Sequence, residues 1–521
     1  MGLEKLVEII GGMSHHEVAR HLGTPPVEGR IEPARATSDQ RKPFVAGNIV
    51  WRDGAYHAMS VDDVRTLVGE ARRNGRKLRV AGSQHSTELA VFSSNSDDIR
   101  VVLDGELRCV ELVSQDPSGA VVWVGGGCYL GRNPRDPSST WANSLNAQLE
   151  ALGVSLPILG GISHQTIAGF MQTSSSGGSL KHGFADAVES IEFVDGLARV
   201  QTFDAPSDEF YAAGVALGLF GVITRVKLRC KPRYFVAGTE TNHELPDSLL
   251  AKQNGSYPLE AALANNDFMH LDWFPQCAVR RVTQWVGQTV DQMEPFKSYD
   301  SELRGEWKNL LAAVVLRIGN ILDLTDPNNT LVADTIGALL KPFVPLGQNK
   351  DFHDFWYHAL PSDDEVDVDN LIAIQFTEIW LPIPQLTTAL DRLFAAIDKE
   401  QRMAGNFAVE LYGARNSPFW MSPANGRDVV RVDVFWWAHN IGRRLEFFTY
   451  YWNQLLDLPG ARLHWGKFLP VIGQKYGNVT FGPEFIKTAY EDHITDWLSL
   501  RRSFDPDGVF LTDYWRSIFG L

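Results

Sequence analysis

The chain has 521 residues, of which 44% are hydrophobic and 21% charged, and its formal net charge is −15. This composition is typical of a soluble globular protein, and the length predicts two or more domains. The acidic balance argues against nucleic acid and anionic membranes as partners.

The cysteines and the N-terminal residues indicate the cellular location that we expect for the protein. Four cysteines without a C-x-x-C pair do not make a disulfide framework in a chain this long, so a reducing cytoplasm is the expected location. Glu4 and Glu8 lie where a secretory signal needs basic and then apolar residues. Apolar runs such as residues 310–316 are far too short to span a bilayer, so we expect no membrane span.

The first half of the chain predicts an α+β domain over residues 46–233, preceded by an N-terminal extension over residues 1–45. Ser60 is the expected N-cap of a helix that ends near Gly75. The strand "KLRVAGS" then enters a tight turn, and "VESIEFVDGLARVQTF" predicts a hairpin around Asp195-Gly196. The last strand of this domain ends at Pro232.

The pattern changes after this domain. Strands rich in Trp and Phe surround a helical stretch at about 295–350, which predicts a second, cap domain over residues 234–463. The helical stretch is open to interpretation as a lid, a dimer surface or a lipid-facing patch. Residues 464–521 are expected to return to the first domain.

Two loops of the first domain concentrate Gly, Ser and Thr, namely Ala81–Thr87 and Gly160–Ser179. Each alone could be a surface loop. Such loops also present backbone N–H groups and hydroxyls to phosphates, and glycine allows a close approach. The chain lacks a G-x-G-x-x-G turn after a strand and a P-loop. Two such loops in one domain therefore favour a dinucleotide bound in another way.

The order of "RVAGSQHST", "VVWVGGG", "LPILGGISHQTIAGFMQT" and "LGLFGVITRVKLR" resembles the FAD domain of the vanillyl-alcohol oxidase (VAO/PCMH-type) flavoproteins. The later "HWGK" and "FDPDGVFLTDYWR" resemble the aldonolactone oxidase and alditol oxidase branch. The resemblance implies an α+β fold with a two-part FAD-binding domain and a cap domain, in which an antiparallel sheet is flanked by helices.

The resemblance also implies FAD as the cofactor, with His85 bonded covalently to the 8α-methyl carbon of the flavin. No second link is expected, because Ser155 stands nearest the position that carries a cysteine in doubly linked members. The expected cofactor-binding residues are His85, Ala81, Gly82, Ser83, Gln84, Ser86, Gly160, Gly161, His164, Thr166, Gly169, Thr173, Gly178, Gly221, Ile223 and Lys467.

Over the flavin, Glu410 and Lys467 match the glutamate and lysine of the alditol oxidase pattern. Gly161, Tyr412 and Phe435 stand where that pattern has serine, arginine and threonine. A pocket that exchanges polar groups for aromatic ones implies a substrate bulkier or less polar than a simple polyol. In the alternative interpretation, both aromatic residues pack in the core of the cap, Lys467 makes a surface ion pair and Glu410 is solvated.

Three further residues are weaker candidates. Glu378 ranks below Glu410 as a catalytic group, and His270 and Asp272 are more typical of structural positions. Gly160 matches a position where a small residue leaves room for O2. No H-E-x-x-H motif or other metal-ligand spacing is present, so no metal is expected.

These features predict an FAD-dependent oxidase of a CH–OH group in an alcohol or lactol bulkier or less polar than a simple polyol, with hydride transfer to flavin N5 and reduction of O2 to H2O2. Glu410 or Lys467 is the candidate base. The alternatives are a dehydrogenase of the same fold, an enzyme that tailors a natural product, and a flavin-binding scaffold without activity. The oligomeric state is left open.

Overall fold

The computed structural model describes residues 49–93, 95, 97–299, 323, 325, 336–338, 340–347, 349–361, 374–437 and 440–521. The N-terminal extension at 1–45 and most of the predicted helical stretch at about 295–350 lie outside these residues. Of its described residues, 336–338 and 340 are helical and Lys341–Phe343 forms a 3-10 helix, and the strand Asn349–Phe355 begins where the stretch is expected to end.

The first sheet has four strands in the order β1-β2-β4-β3. β2 and β3 both run parallel to β4, and β1 forms a hairpin with β2. The strands are β1 (Val50–Arg52), β2 (Ala55–Ala58), β3 (Leu78–Val80) and β4 (Ile99–Leu103). The helix Val61–Arg73 covers this sheet, and its N-cap is Ser60, whose hydroxyl accepts a hydrogen bond from Asp63 N.

The second sheet has the order β5-β6-β10-β8-β9, with β7 beside β10. Its long central strand pairs antiparallel with both neighbours, and the predicted Asp195-Gly196 hairpin joins β8 to β9. The strands are β5 (Val110–Asp116), β6 (Gly119–Gly125), β7 (Val154–Ser155), β8 (Val188–Asp195), β9 (Val200–Asp204) and β10 (Gly221–Pro232).

The third sheet has eight strands in the order β14-β11-β13-β12-β16-β17-β15-β18, and every pair in it is antiparallel. All nine residues of β17 are buried, because both faces of this central strand are covered. The strands are β11 (Phe235–Glu244), β12 (Phe268–Phe274), β13 (Arg281–Val290), β14 (Asn349–Phe355), β15 (Ile374–Pro382), β16 (Val409–Ala414), β17 (Val429–Trp437) and β18 (Arg462–Leu463).

Twelve α-helices are assigned in the described part of the chain. They are α1 (Val61–Arg73), α2 (Glu88–Val91), α3 (Leu145–Ala151), α4 (Ile167–Gln172), α5 (Asp208–Gly214), α6 (Leu259–Asn265), α7 (Trp356–Ala359), α8 (Leu386–Lys399), α9 (Arg444–Leu455), α10 (Pro483–Ala489), α11 (Ile494–Phe504) and α12 (Asp513–Phe519). None of them is both long and apolar enough to cross a membrane.

The C-terminal helices pack on the first two sheets. Trp497 of α11 is fully buried between the rings of Phe220 and Phe519, and its indole N–H donates to the carbonyl of Ala212. Val509 and Phe510 join the core formed by α1 and the first sheet. Residues near the C-terminus thereby share a core with the helix Val61–Arg73 and the first sheet.

We expect Trp497→Ala to lower the free energy of unfolding by about 3–5 kcal/mol, because it removes a fully buried indole and leaves the Ala212 carbonyl without its donor. Trp497→Phe, which keeps most of the ring volume, is the matched control and should cost less. Denaturant unfolding followed by far-ultraviolet circular dichroism measures both changes. Equal midpoints for the wild type and Trp497→Ala would contradict this packing.

Candidate functional site

A cleft lies between the first two sheets, with a volume of about 1110 Å³ including its mouth. The loop after β3, the start of α4 and the start of β10 form its walls, and Trp465, Phe510 and Trp515 from the C-terminal segment close one side. Eleven of the predicted cofactor-binding residues line it, namely Ala81, Gly82, Ser83, Gln84, His85, Ser86, Thr166, Gly169, Thr173, Gly221 and Ile223.

Glycines shape the walls of this cleft. A Cβ on Gly82 would lie 2.5 Å from Thr166 Oγ1, so the two Gly-rich loops touch at this point. Cβ atoms on Gly126 and Gly127 would lie 2.3 Å and 2.7 Å from backbone oxygens of neighbouring strands. Gln84 has a positive φ of 61°, which turns the loop sharply before His85. The walls are therefore largely backbone, as the close approach of a dinucleotide requires.

Arg79 gives the cleft a buried positive charge. The guanidinium is 7% exposed and donates to backbone carbonyls, among them those of Ala90 and Leu217. Among the described residues no carboxylate forms an ion pair with it, and burial lowers its pKa to about 10. The N–H groups of Arg79 are all used by backbone carbonyls, so its positive charge, and not a free donor, would attract a dianionic diphosphate. Together with the backbone walls of the cleft, this charge fits FAD.

Five of the predicted cofactor-binding residues do not line this cleft, namely Gly160, Gly161, His164, Gly178 and Lys467. Gly178 meets the cap sheet instead, because Met269 N donates to its carbonyl at 2.7 Å and a Cβ there would lie 2.2 Å from Met269 O. Gly161 is exposed and Gly160 is buried beside Phe170. The sequence signal for Gly178 thus reflects close contact between the two domains.

His85 lies where the cofactor cleft meets the C-terminal segment. Its ring is 4.4 Å from the ring of His164, which comes from the second Gly-rich loop. Two residues further on, Thr87 N donates to the carbonyl of Gly466 at 2.8 Å. The histidine expected to carry the flavin is therefore held next to the "HWGK" segment that carries Lys467.

One face of the third sheet carries a row of carboxylates. Glu378 on β15 is paired with Asp433 on β17, Asp433 is paired with Glu410 on β16, and Glu410 is paired with Asp272 on β12. Directly paired residues point to the same face of a sheet. Four neighbouring strands thus place four acidic side chains side by side.

Arg431 balances part of this charge. Its guanidinium lies 2.8 Å from Glu378 Oε1 and 3.1 Å from Asp433 Oδ2, and it donates to the carbonyl of Ser176 in the second Gly-rich loop. Burial alone would lower its pKa, but the two carboxylates raise it above the ordinary value. The tie to Ser176 fixes this face of the cap against the cofactor domain.

Lys467 supplies a second cation. Its Nζ lies 3.5 Å from the centre of the Phe376 ring, and within the described part of the chain it makes no ion pair. Burial lowers the pKa of Lys467 to about 8, although Glu378 and Asp433 act in the opposite direction. An ammonium held by an aromatic face keeps its donors available for another oxygen.

Glu410 and Tyr412 form a unit on β16. The Tyr412 hydroxyl donates to Glu410 Oε2 at 2.6 Å, and the Arg431 guanidinium lies 4.8 Å from the centre of the Tyr412 ring. Burial and the Glu410 charge raise the pKa of Tyr412 well above its ordinary value, so the hydroxyl stays a donor. Phe435 stacks on Phe376 on the same face.

The expectation of a less polar pocket is therefore wrong. Tyr412 does stand where the alditol oxidase pattern has arginine, but Arg431 lies directly opposite it on the neighbouring strand and supplies a guanidinium. Asp433 adds a further carboxylate. Sequence reasoning missed both residues, although the alternation in "VVRVDVFWW" places them on the face of Phe435.

We expect Gly82→Ala to weaken FAD binding by about tenfold or more, because the added Cβ collides with Thr166 Oγ1 and steric strain of this kind costs about 1–3 kcal/mol. Thr166→Ala removes that oxygen, so the double variant should bind FAD as the Thr166→Ala single variant does. Fluorescence titration with FAD measures the three affinities, and each variant and its reference are made in a His85→Ala background so that binding is reversible. Additive losses in the double variant would show that the two loops do not touch.

Comparisons with known proteins agree with this arrangement. Residues 53–204 match the FAD binding domain family, and residues 226–518 match the D-arabinono-1,4-lactone oxidase family. Similar solved structures include a variant of cholesterol oxidase from Brevibacterium sterolicum, with a TM-score of 0.67, 12% identity, and coverage of 89% of this chain and 94% of that one. At this identity the likeness shows the fold, a VAO/PCMH-type FAD-binding domain with a cap.

Curated relatives match most of the chain. An L-gulonolactone oxidase from Scyliorhinus torazame is 21% identical over 89% of this chain and 94% of its own length. An L-gulono-1,4-lactone dehydrogenase from Mycobacterium tuberculosis is 22% identical over 88% and 94%. A D-arabinono-1,4-lactone oxidase from Eremothecium gossypii is 24% identical over 88% and 91%. The chain is an FAD-dependent oxidoreductase and belongs to the D-arabinono-1,4-lactone oxidase family.

Proposed function

We propose that this enzyme oxidises the CH–OH group next to the carbonyl of a polyhydroxylated 1,4-lactone, with O2 as the electron acceptor. The observation that carries the proposal is the buried, charged face of the cap sheet beside the cofactor loop. A lactone with several hydroxyls offers both donors and acceptors to such a face, whereas an apolar alcohol would leave buried charges unpaired. The names of the relatives support the same substrate class.

When bound, FAD would supply the redox chemistry, as the acceptor of a hydride from the substrate carbon and the source of the electrons that reduce O2 to H2O2. The residues that would hold it are Arg79 and those of the two Gly-rich loops that line the cleft. We propose that His85 also bonds covalently to the 8α-methyl carbon, as the resemblance implies.

The cap residues act on the substrate oxygens. Glu410, oriented by the hydrogen bond from Tyr412, accepts the proton of the reacting hydroxyl. Lys467 donates to the same oxygen and stabilises the negative charge that develops there. Since Lys467 has a pKa of about 8, this donor is present at neutral pH and is lost as the pH rises above that value.

The choice of O2 follows the resemblance, in which Gly160 matches a position where a small residue leaves room for O2. A Cβ on Gly160 would lie 3.3 Å from Phe170 Cε2, which is tighter than an ordinary contact, so a larger residue there would require the Phe170 ring to move. One relative carries the name dehydrogenase, which makes another acceptor the second candidate function.

Acid precipitation tests the covalent bond. We expect the yellow colour to stay in the protein pellet for the wild type and to move into the supernatant for His85→Ala, which keeps the loop but lacks the ring that bonds the flavin. His164→Ala is the matched control, because the two rings are in contact, and it should retain the flavin in the pellet. Free flavin from the wild type would contradict the covalent bond.

A second experiment tests the substrate and the acceptor. Oxygen uptake and H2O2 release are measured with 1,4-lactones and with the corresponding alditols, and we expect equal amounts of both only with the lactones. Electron transfer to a dye without oxygen uptake would instead identify a dehydrogenase. Absence of turnover with every lactone would refute the proposed substrate.

Lys467→Met should lower kcat/KM for the lactone by about 10²–10³, the range found when one donor to a developing oxyanion is removed. Lys475→Met, an exposed position on the same C-terminal segment, is the control and should leave turnover unchanged. Steady-state kinetics at pH 7 measure both. Wild-type kcat/KM in Lys467→Met would remove the lysine from the mechanism.

A further inference from the structure

The row of carboxylates on the cap sheet poses an electrostatic problem. Glu378, Asp433 and Glu410 occupy directly paired positions on three neighbouring strands. Like charges in such positions destabilise a sheet, and burial increases the cost. Arg431 is the cation that contacts both Glu378 and Asp433, so a single positive charge serves two carboxyl groups.

The two carboxyl groups are not equivalent. Glu378 Oε1 lies 2.8 Å from Arg431 Nε and accepts the indole N–H of Trp380 at 2.6 Å. Both contacts stabilise an ionised carboxylate, and despite burial they help to keep the pKa of Glu378 below its ordinary value. The negative charge of the pair therefore resides on Glu378.

Only one of the two carboxyl oxygens of Asp433 has a hydrogen-bond partner among the described residues. Oδ2 accepts from Arg431, whereas Oδ1 is buried and has no hydrogen-bond partner among the described residues. The whole residue is 2% exposed. An ionised oxygen buried in this way pays the full cost of desolvation, whereas a protonated one becomes a donor that awaits an acceptor.

The surroundings of Asp433 agree with a neutral carboxyl group. Burial and the Glu378 charge raise the pKa of Asp433 to about 8, against the opposite effects of Arg431 and Lys467. The charged and titratable groups that face it come from its own strand, from both neighbouring strands and from the C-terminal segment; they are Arg431, Glu378, Glu410, Tyr412 and Lys467.

We propose that Asp433 is a protonated carboxyl group in the resting enzyme and that its Oδ1–H donates a hydrogen bond to the carbonyl oxygen of the substrate. This inference rests on the proposed function, because it requires a substrate with a carbonyl group beside the reacting CH–OH. Lys467, which is half-buried, is the second donor on this face for which the described residues offer no hydrogen-bond acceptor. Asp433 and Lys467 together form a site for two adjacent substrate oxygens. One is the hydroxyl oxygen, and the other is the carbonyl oxygen, which only accepts hydrogen bonds.

Specificity follows from this arrangement. A carbonyl oxygen accepts from Asp433 and leaves Glu410 to receive the proton of the neighbouring hydroxyl. An alditol offers a hydroxyl at the same place, and the proton of that hydroxyl needs an acceptor that a neutral, donating Asp433 does not supply. Asp433 thus selects hydroxy-lactones, and Arg431 is the positioning residue that keeps Glu378 charged beside it.

Asp433→Asn tests the proposal, because the amide is neutral, has nearly the same shape and keeps a donor. We expect kcat/KM for the lactone to stay within about tenfold of the wild type, since one neutral donor replaces another. Asp433→Leu, which has no donor, should raise KM for the lactone by about tenfold or more. If Asp433 were instead the ionised base, Asp433→Asn would lower kcat by about 10²–10⁴. That result, with the flavin retained, would overturn the proposal.

Infrared spectroscopy of the holoenzyme tests protonation without any substrate. Aspartate labelled with ¹³C in its side-chain carboxyl group should shift a C=O stretching band of a protonated acid, and this band should disappear as the pH rises through about 8. Asp433→Asn should lack this band, which distinguishes it from a band of the buried Asp505, and Asp398→Asn, at an exposed ion pair with Arg280, should leave it in place. No labelled protonated-acid band at pH 6 would overturn the proposal.

The two experiments separate this inference from the proposed function. If the wild type oxidises no lactone but shows the protonated band, the substrate assignment fails while Asp433 remains a neutral donor. If lactones are oxidised and the band is absent, the function stands and the role of Asp433 is wrong.

Discussion

The arrangement of the site depends on a buried guanidinium that has to be balanced. Arg431 contacts Glu378 on one neighbouring strand and Asp433 on its own strand, and it donates to the carbonyl of Ser176 from the cofactor domain. A buried charge that lost these partners would be strongly destabilising. Moreover, a shift of one residue in the pairing of β15 with β17 would send the carboxylates to the opposite face. The register of β15 and β17 therefore places the carboxylates beside Arg431, and the cost of an unpaired buried charge disfavours any other register.

The C-terminal segment brings this face to the cofactor. The chain leaves the cap sheet at β18, where Arg462–Leu463 pairs with β15, and four residues later reaches Lys467. In between, the carbonyl of Gly466 accepts from Thr87 N, two residues after His85. The helices that follow then pack into the core of the first domain. One short stretch thus places the lysine, closes the cleft with Trp465 and anchors the loop expected to hold the flavin.

Much of this structure could be predicted from the sequence. The N-cap at Ser60, the Asp195-Gly196 hairpin and the end of the last strand at Pro232 are local signals, and the structure confirms them. The loop from Ala81 to Ser86 lines the cleft as expected, since its pattern is contiguous along the chain. The family assignment, which rests on several such segments in order, is confirmed as well.

The predictions that failed concerned residues that are adjacent in the folded chain but distant in the sequence. Comparison of β16 with the alditol oxidase pattern showed Tyr412 in place of an arginine, which suggested a less polar pocket. The guanidinium comes from Arg431, 19 positions away in sequence but directly opposite Tyr412 in the sheet. Strand pairing across loops cannot be deduced from one sequence. In the same way, Gly178 was expected to bind the cofactor, but in the structure it lies against the backbone of Met269 in the cap sheet.

We propose that the enzyme oxidises a hydroxy-lactone with bound FAD and that this charged face of the cap sheet binds the lactone. Anaerobic mixing of the holoenzyme with a 1,4-lactone or the corresponding alditol tests it most directly, because loss of the visible absorbance of oxidised flavin reports hydride transfer without the later step to the acceptor. The account predicts fast bleaching by the lactone and slow or no bleaching by the alditol. Equal rates with both, or an unchanged spectrum with every lactone, would contradict it.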